Sequence, residues 1–169
     1  MARLKQPQRR VGSNEKALIL ALERAVLIFR LLPEWKTRKE TWINDRLIAH
    51  LKAKSDALVN RKIAAVKFAG ETYRPECCVK GTSAAFHLLA IECKHLRGTY
   101  GKRLWKEGVS QAIHYRSKYK AVFLVLYDFT KAGTYSVAFG RGNKHESRFR
   151  REMREELGIR IIVLRAEAR

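Results

Sequence analysis

The sequence predicts an α/β domain of order αβββαβ around a mixed central sheet, with an extra helix before this core and a helix and strand after it. Three observations point there. Apolar residues recur at helical spacing from Glu15 to Leu51, and β-forming runs take over from Arg61 to Lys94. The most apolar run, Ala121–Tyr127, then follows a helical pattern, which suits a parallel crossover. The 169 residues have room for one core, and 46% hydrophobic residues with 9% aromatics can fill it. Residues 1–13 read as a flexible basic arm and 14–169 as a single domain, because no repeat, low-complexity tract or linker divides the chain.

Ser13 and Asn14 offer N-cap chemistry to a helix over Glu15–Leu32, with Leu18, Leu22, Ala25, Phe29 and Leu32 on one stripe and Pro33 as its stop. Ile19, Leu20, Val26, Leu27, Ile28 and Leu31 widen that stripe, which suits core packing first and a homodimer contact second. Glu23, Arg24 and Arg30 exclude a membrane span. A second helix is expected from Thr37, where Thr37-Arg-Lys-Glu40 fits a capping box and Ile43, Leu47 and Leu51 follow at helical spacing. Glu40 therefore has two readings of equal weight: a capping residue, or a carboxylate on the inward stripe able to reach a site.

Lys62–Phe68, Arg74–Val79 and His87–Lys94, separated by turns at Ala69-Gly70-Glu71 and Lys80–Ser83, are expected to form an antiparallel meander. Arg97–Arg103 is a glycine-containing basic loop without the spacing of a phosphate-binding fingerprint. The helix from Arg103 to about Tyr119 is expected to turn Trp105, Val109, Ala112 and Ile113 to the sheet, and to align Gly108, Gln111 and Tyr115 on a neighbouring face. Ala121–Tyr127 should be a central strand and Tyr135–Phe139 a short one. A charged helix, Lys144–Leu157, is expected as a solvated outer surface, ended by Gly158 before a closing strand over Ile159–Leu164.

The 36 Lys+Arg against 16 Asp+Glu give a formal charge of +20, which favours a polyanionic partner. The basic residues run from Arg3 to Arg169 and form no juxtamembrane block, so nucleic acid is expected and a membrane is not. Cys77, Cys78 and Cys93 lack zinc-ligand spacing and read as reduced thiols of an intracellular, cytoplasmic protein, Cys77 and Cys78 as small buried hydrophobes. Arg3–Arg10 lacks the apolar core of a secretion signal.

The chemistry gathers on His87–Lys94. Alternation puts Leu88, Ala90, Glu92 and Lys94 on one face and His87, Leu89, Ile91 and Cys93 on the other. A carboxylate and an amine at the end of a strand apolar on both faces are either a solvated surface ion pair or a site. Glu76, on the preceding strand, can be brought beside Glu92 by antiparallel pairing, and paired carboxylates are hard-cation ligands. His87, His95 and His114 read as packing or surface residues.

Arg74-Pro75-Glu76 followed by Ile91-Glu92-Cys93-Lys94, within helix, three strands, helix and strand, resembles the PD-(D/E)xK nuclease superfamily over about Thr37–Tyr127, with Glu in place of the usual first Asp. The resemblance implies a restriction-endonuclease-like fold and a nuclease cutting phosphodiester bonds, DNA favoured over RNA, in a nucleoid-associated or phage-encoded setting. It implies Mg²⁺, with Mn²⁺ able to substitute, held by Glu76, Glu92, the Cys93 backbone carbonyl and Glu40, with Lys94 catalytic. Gln111-Ala-Ile-His-Tyr115 is similar to the Gln-x-x-x-Tyr element of the branch containing RecB-type and phage exonuclease domains. The same two residues also read as a solvated amide and a core-rim tyrosine. The alternative function is a non-catalytic basic nucleic-acid-binding module on a degenerate nuclease fold.

Overall fold

The computed structural model describes residues 12–54, 59–60, 65–68, 70–80, 87–139 and 144–167. The expected arm before Gly12, the strand start at 61–64, and the turns at 81–86 and 140–143 lie largely outside them. The described elements are α1 Ser13–Leu27, α2 Glu40–Lys54, β1 Val59–Asn60, β2 Val66–Phe68, β3 Glu71–Tyr73 and β4 Cys77–Lys80. They continue as β5 His87–Leu96, α3 Gly101–Tyr115, β6 Tyr119–Asp128, α4 Thr134–Ala138, α5 Lys144–Leu157 and β7 Ile159–Arg165. The fold is mixed α/β: a five-stranded sheet of order β1-β4-β5-β6-β7 and a separate two-stranded ribbon, β2-β3. β1-β4 and β4-β5 are antiparallel, whereas β5-β6 and β6-β7 are parallel, so the sheet is mixed and α3 is a crossover. No described helix is long and apolar enough to cross a membrane.

Two apolar cores sandwich the sheet. On one face α1 and α2 cover Leu89, Ile91, Cys93, Phe123, Val125 and Tyr127. On the other, α3 and α5 cover Ala90, Leu96, Val122, Leu124 and Ile161. All three cysteines are buried, Cys77 and Cys78 as expected. Two ion pairs tie α1 to the strands: Glu15 with Lys120 at 2.8 Å and Glu23 with Arg160 at 2.6 Å.

Several boundaries differ from the sequence reading, each for a tertiary reason. The first helix stops at Leu27, well before Pro33, and Gly12 rather than Ser13 or Asn14 is its N-cap. The departing chain buries Phe29 and Leu31 in the core, which a continued helix could not do together. Thr37 caps nothing: it ends a 3-10 turn over Pro33–Thr37, and Glu40 opens α2. The first strand of the meander does not pair with the second. Val66–Phe68 folds back on Glu71–Tyr73 through Gly70, at φ 82°, and Val59–Asn60 takes the place beside β4. Tyr135–Phe139 is not a strand. The buried Asp128 carboxylate accepts the Tyr135 and Ser136 amides at 3.0 and 2.8 Å and nucleates helix α4 there. Ala112 is buried and Trp105 and Val109 pack on the core, as expected, but Ile113 is 41% exposed and Gly108 and Tyr115 are buried against the strands beside them. It also ends at Tyr115, not near Tyr119. α5 is solvated only in part, since Met153 is buried and Phe149 packs on the core.

Candidate active site

Glu92 and Lys94 lie on the α3 face of β5, and no water-filled strand end surrounds them: Glu92 is 2% exposed and Lys94 8%. The surface ion-pair reading is therefore overturned. Lys94 Nζ stands 3.0 Å from Glu92 Oε1 and 3.6 Å from Glu107 Oε1. Tyr115 Oη donates to Glu92 Oε2 at 2.9 Å, so the tyrosine is a buried partner of the carboxylate and not a rim residue. This packing needs Gly108. A Cβ there would meet Leu124 Cδ1 at 2.8 Å and Lys94 Cγ at 2.9 Å, so the glycine lets α3 approach the strands that carry the site.

Glu76 sits at a bend just before β4 rather than within the strand. The register still serves it. Cys77 pairs with Ile91, so one residue further along each strand Glu76 comes opposite Glu92. Glu40 turns inward at the start of α2. Its Oε2 accepts the main-chain N–H of His95 at 2.8 Å. Leu96 C=O bonds Phe129 N on the β6 side, so by alternation Cys93 and His95 turn their main-chain groups to the opposite edge, beyond the end of β4. The Cys93 carbonyl and the Glu40 carboxylate thus share one edge, while the Cys93 thiol points into the other core.

Electrostatics follow from burial. Desolvation pushes Glu92 up to about 7, against the opposing pull of Lys94 and the Tyr115 hydroxyl, and Glu76 adds to the rise. Glu40 is raised for the same first reason, partly offset by Lys94 and the His95 amide. For Lys94, burial is the largest single influence and lowers it. The charge and hydrogen bond of Glu92, with Glu107 and Glu40, outweigh that and hold the ammonium above its usual value. Tyr115 is raised by burial and then by Glu92, so it remains a neutral donor. Arg97 Nη2 donates to His95 Nδ1 at 2.8 Å; a guanidinium cannot accept, so the His95 proton is on Nε2. Burial and Arg97 lower His95 to about 4, keeping it neutral.

The donor set fits a hard divalent cation. Among the described residues no three carboxylate, imidazole or thiolate side chains already converge on one point. Mg²⁺ is commonly held by only one or two carboxylates with water, and here Glu76, Glu92 and the Cys93 carbonyl could serve, with Glu40 beside them. Gln111 Oε1 is buried and has no hydrogen-bond partner among the described residues, one helical turn from Tyr115, which leaves an acceptor for a bound group. Beside Glu40 a cleft of ≈ 370 Å³ opens, lined by His95, Arg97, Tyr100, Arg103 and Leu104.

Sequence reasoning missed Glu107 and the His95 and Arg97 pair. Glu107 was findable, because it lies one helical turn before Gln111. His95 and Arg97 gain their roles from Glu40 and Arg38, whose carbonyl also accepts from Arg97 at 3.0 Å, and nothing local signals that. The chain matches no protein-family model and no curated protein.

Proposed function

We propose that the chain is a divalent-metal-dependent nuclease of the PD-(D/E)xK type on a restriction-endonuclease-like fold, hydrolysing phosphodiester bonds in DNA. One observation carries the reading: a buried Glu92 and Lys94, 3.0 Å apart, stand on β5 just beyond its pairing with β4, close enough to Glu76 to feel its charge. A buried pair adds little to stability over an apolar replacement, so its placement calls for another use. The mixed sheet order and the α3 crossover agree with that fold.

Glu76, Glu92 and the Cys93 carbonyl would hold Mg²⁺ or Mn²⁺, with Glu40 supporting. The cation supplies Lewis-acid chemistry, making a water more acidic and offsetting charge that develops on the phosphate. The chain's own groups do the rest. Lys94 presents a permanent ammonium to orient the attacking water or to stabilise a phosphoryl oxygen. Tyr115 fixes the Glu92 carboxylate through Oε2, and Lys94 holds its Oε1, so the carboxylate would be oriented before a cation binds. Gln111 offers its unpartnered oxygen to position water or substrate. The +20 charge draws the polyanion to the site.

A second reading, a non-catalytic basic nucleic-acid-binding module, is favoured by the fact that both Glu92 oxygens already have partners in the chain. Incubation with single-stranded, duplex, branched and RNA substrates in Mg²⁺, Mn²⁺ or chelator separates the two. Metal-dependent cleavage of DNA, lost in Glu92→Ala while binding persists, is the result expected of the nuclease; binding without cleavage under every metal condition supports the module.

A further inference from the structure

β7 is the last strand of the sheet, and among the described residues one of its edges has no neighbouring strand. Which main-chain groups face that edge follows from the hydrogen bonds. Val122 N donates to Gly158 O and Ala166 N donates to Asp128 O, both at 3.1 Å, so the even-numbered residues of β7 face β6. Ile159, Ile161, Val163 and Arg165 therefore face outward. Two contacts agree: Arg150 Nη2 donates to Ile161 O at 3.0 Å, and Glu167 N donates to Leu31 O at 3.3 Å. Between those two caps, the main-chain groups of Val163 and the amide of Arg165 have no hydrogen-bond partner among the described residues. An uncovered edge of this kind is a template for a further strand.

The edge is the floor of a groove. A cavity of ≈ 610 Å³ borders Val163–Arg165, walled by Leu27 and Ile28 from the end of α1 and by Phe139 after α4. A second, of ≈ 350 Å³, borders Arg160 and Ile161, and both are lined by Phe139 and Arg150. Leu27 and Ile28 are 57% and 63% exposed, among the most exposed large apolar residues described. The groove is also basic. Arg150, Arg151, Arg154 and Arg160 outnumber Glu23 and Glu155 at its upper end, where Glu23 is already paired with Arg160 at 2.6 Å. Arg30 and Arg165 outnumber Glu167 at the lower end and, among the described residues, form no ion pair.

We propose that this groove binds a short, extended acidic peptide carrying apolar residues, added as a strand to β7. Main-chain pairing at Val163 and Arg165 would fix the register, the apolar side chains would cover Leu27 and Ile28, and the carboxylates would meet Arg30, Arg151 and Arg165. A second copy is the poorer occupant, since it would set arginine against arginine between chains of +20 each. A nucleic acid would satisfy the arginines but would leave Leu27 and Ile28 uncovered.

The test uses the full chain and a fluorescein-labelled peptide of alternating valine and glutamate, with a fully N-methylated version that keeps each charge but donates no main-chain hydrogen bond. Anisotropy should show saturable binding, weakened about tenfold by N-methylation, since the bond to the Val163 carbonyl is lost and the methyl groups hold the added strand away from the edge. Backbone NMR should shift the Val163 and Arg165 amides first. Val163→Pro removes one outward N–H at an edge, where proline is tolerated, and should weaken the peptide about tenfold while duplex-DNA binding is retained. Equal affinity for the N-methylated peptide, absence of binding, or shifts confined to other surfaces would overturn the proposal. So would self-association abolished by Val163→Pro, which would assign the edge to a second copy. Arg30→Glu, distant from the strand hydrogen bonds, serves if the proline variant does not fold, and should weaken the acidic peptide.

Discussion

The two faces of β5 are made by alternate residues of one strand and solve opposite problems. Toward α1 and α2, Leu89, Ile91 and Cys93 meet only apolar neighbours apart from the Tyr127 hydroxyl, which donates to Asn44 at 3.1 Å and reaches the Cys93 sulfur at 3.3 Å. Toward α3, the same stretch carries Ala90, then Glu92 and Lys94, closed over by Gly108 and Tyr115. Burial is equally deep on both. The first face turns depth into stability, through apolar area removed from water. The second turns it into chemical potential, because a carboxylate out of water is held near neutrality and an ammonium beside it is kept charged.

That contrast is sharpest in variants. Lys94→Ala should reduce cleavage by on the order of 10²–10³-fold at saturating Mg²⁺, with DNA affinity nearly unchanged because dispersed Lys and Arg supply it. Single-turnover cleavage beside a binding titration checks this; undiminished cleavage would dissolve the distinction between the faces. Ile91→Ala, one residue from Glu92 on the dry side, should lose about 2–5 kcal/mol of stability and leave cleavage per folded molecule close to wild type. Denaturant melts and active-site-normalised rates decide it.

Protonation separates the faces next. Glu92 is raised from 4.5 to about 7, so the folded protein keeps a proton that the unfolded chain has released. The associated stability is full below about 4.5 and is lost as pH rises through about 7, on the order of 3 kcal/mol in all. His95 acts oppositely: lowered from 6.5 to about 4, it contributes stability above 6.5 that is lost as pH falls through about 4. The difference between wild type and Glu92→Gln removes the His95 contribution. That difference should grow in favour of the variant from pH 4.5 to about 7, and saturating Mg²⁺ should reverse part of it by stabilising the wild type alone, by about 1–3 kcal/mol. Melts across pH with Mg²⁺ or chelator test both; an equal metal response in the two proteins would leave the carboxylates without a metal role.

The smallest effect belongs to Gln111→Ala. Its oxygen has no partner among the described residues, so the variant should fold with little change in stability and cleave about tenfold more slowly through poorer positioning. A marked drop in melting temperature would make Gln111 a packing residue of α3.

The sequence by itself determined what local periodicity can encode. Period two placed Glu92 and Lys94 on one face of the strand and Cys93 on the other, and the helix before Ala121–Tyr127 announced the parallel crossover; β5 and β6 bear out both. Antiparallel pairing of the Glu92 strand with the strand that follows Glu76 was also legible, since a turn between two β-forming runs leaves few other arrangements. Only the tertiary structure decided where polar groups find partners, because those partners are distant in the chain. Glu40 turns onto the His95 amide instead of capping its own helix, and Asp128 caps a helix where the residues alone read as a strand. On α3 the sequence placed Trp105, Val109 and Ala112 toward the core, but the exposure of Ile113 and the burial of Gly108 follow from close approach, since a Cβ at Gly108 would meet Lys94 and Leu124.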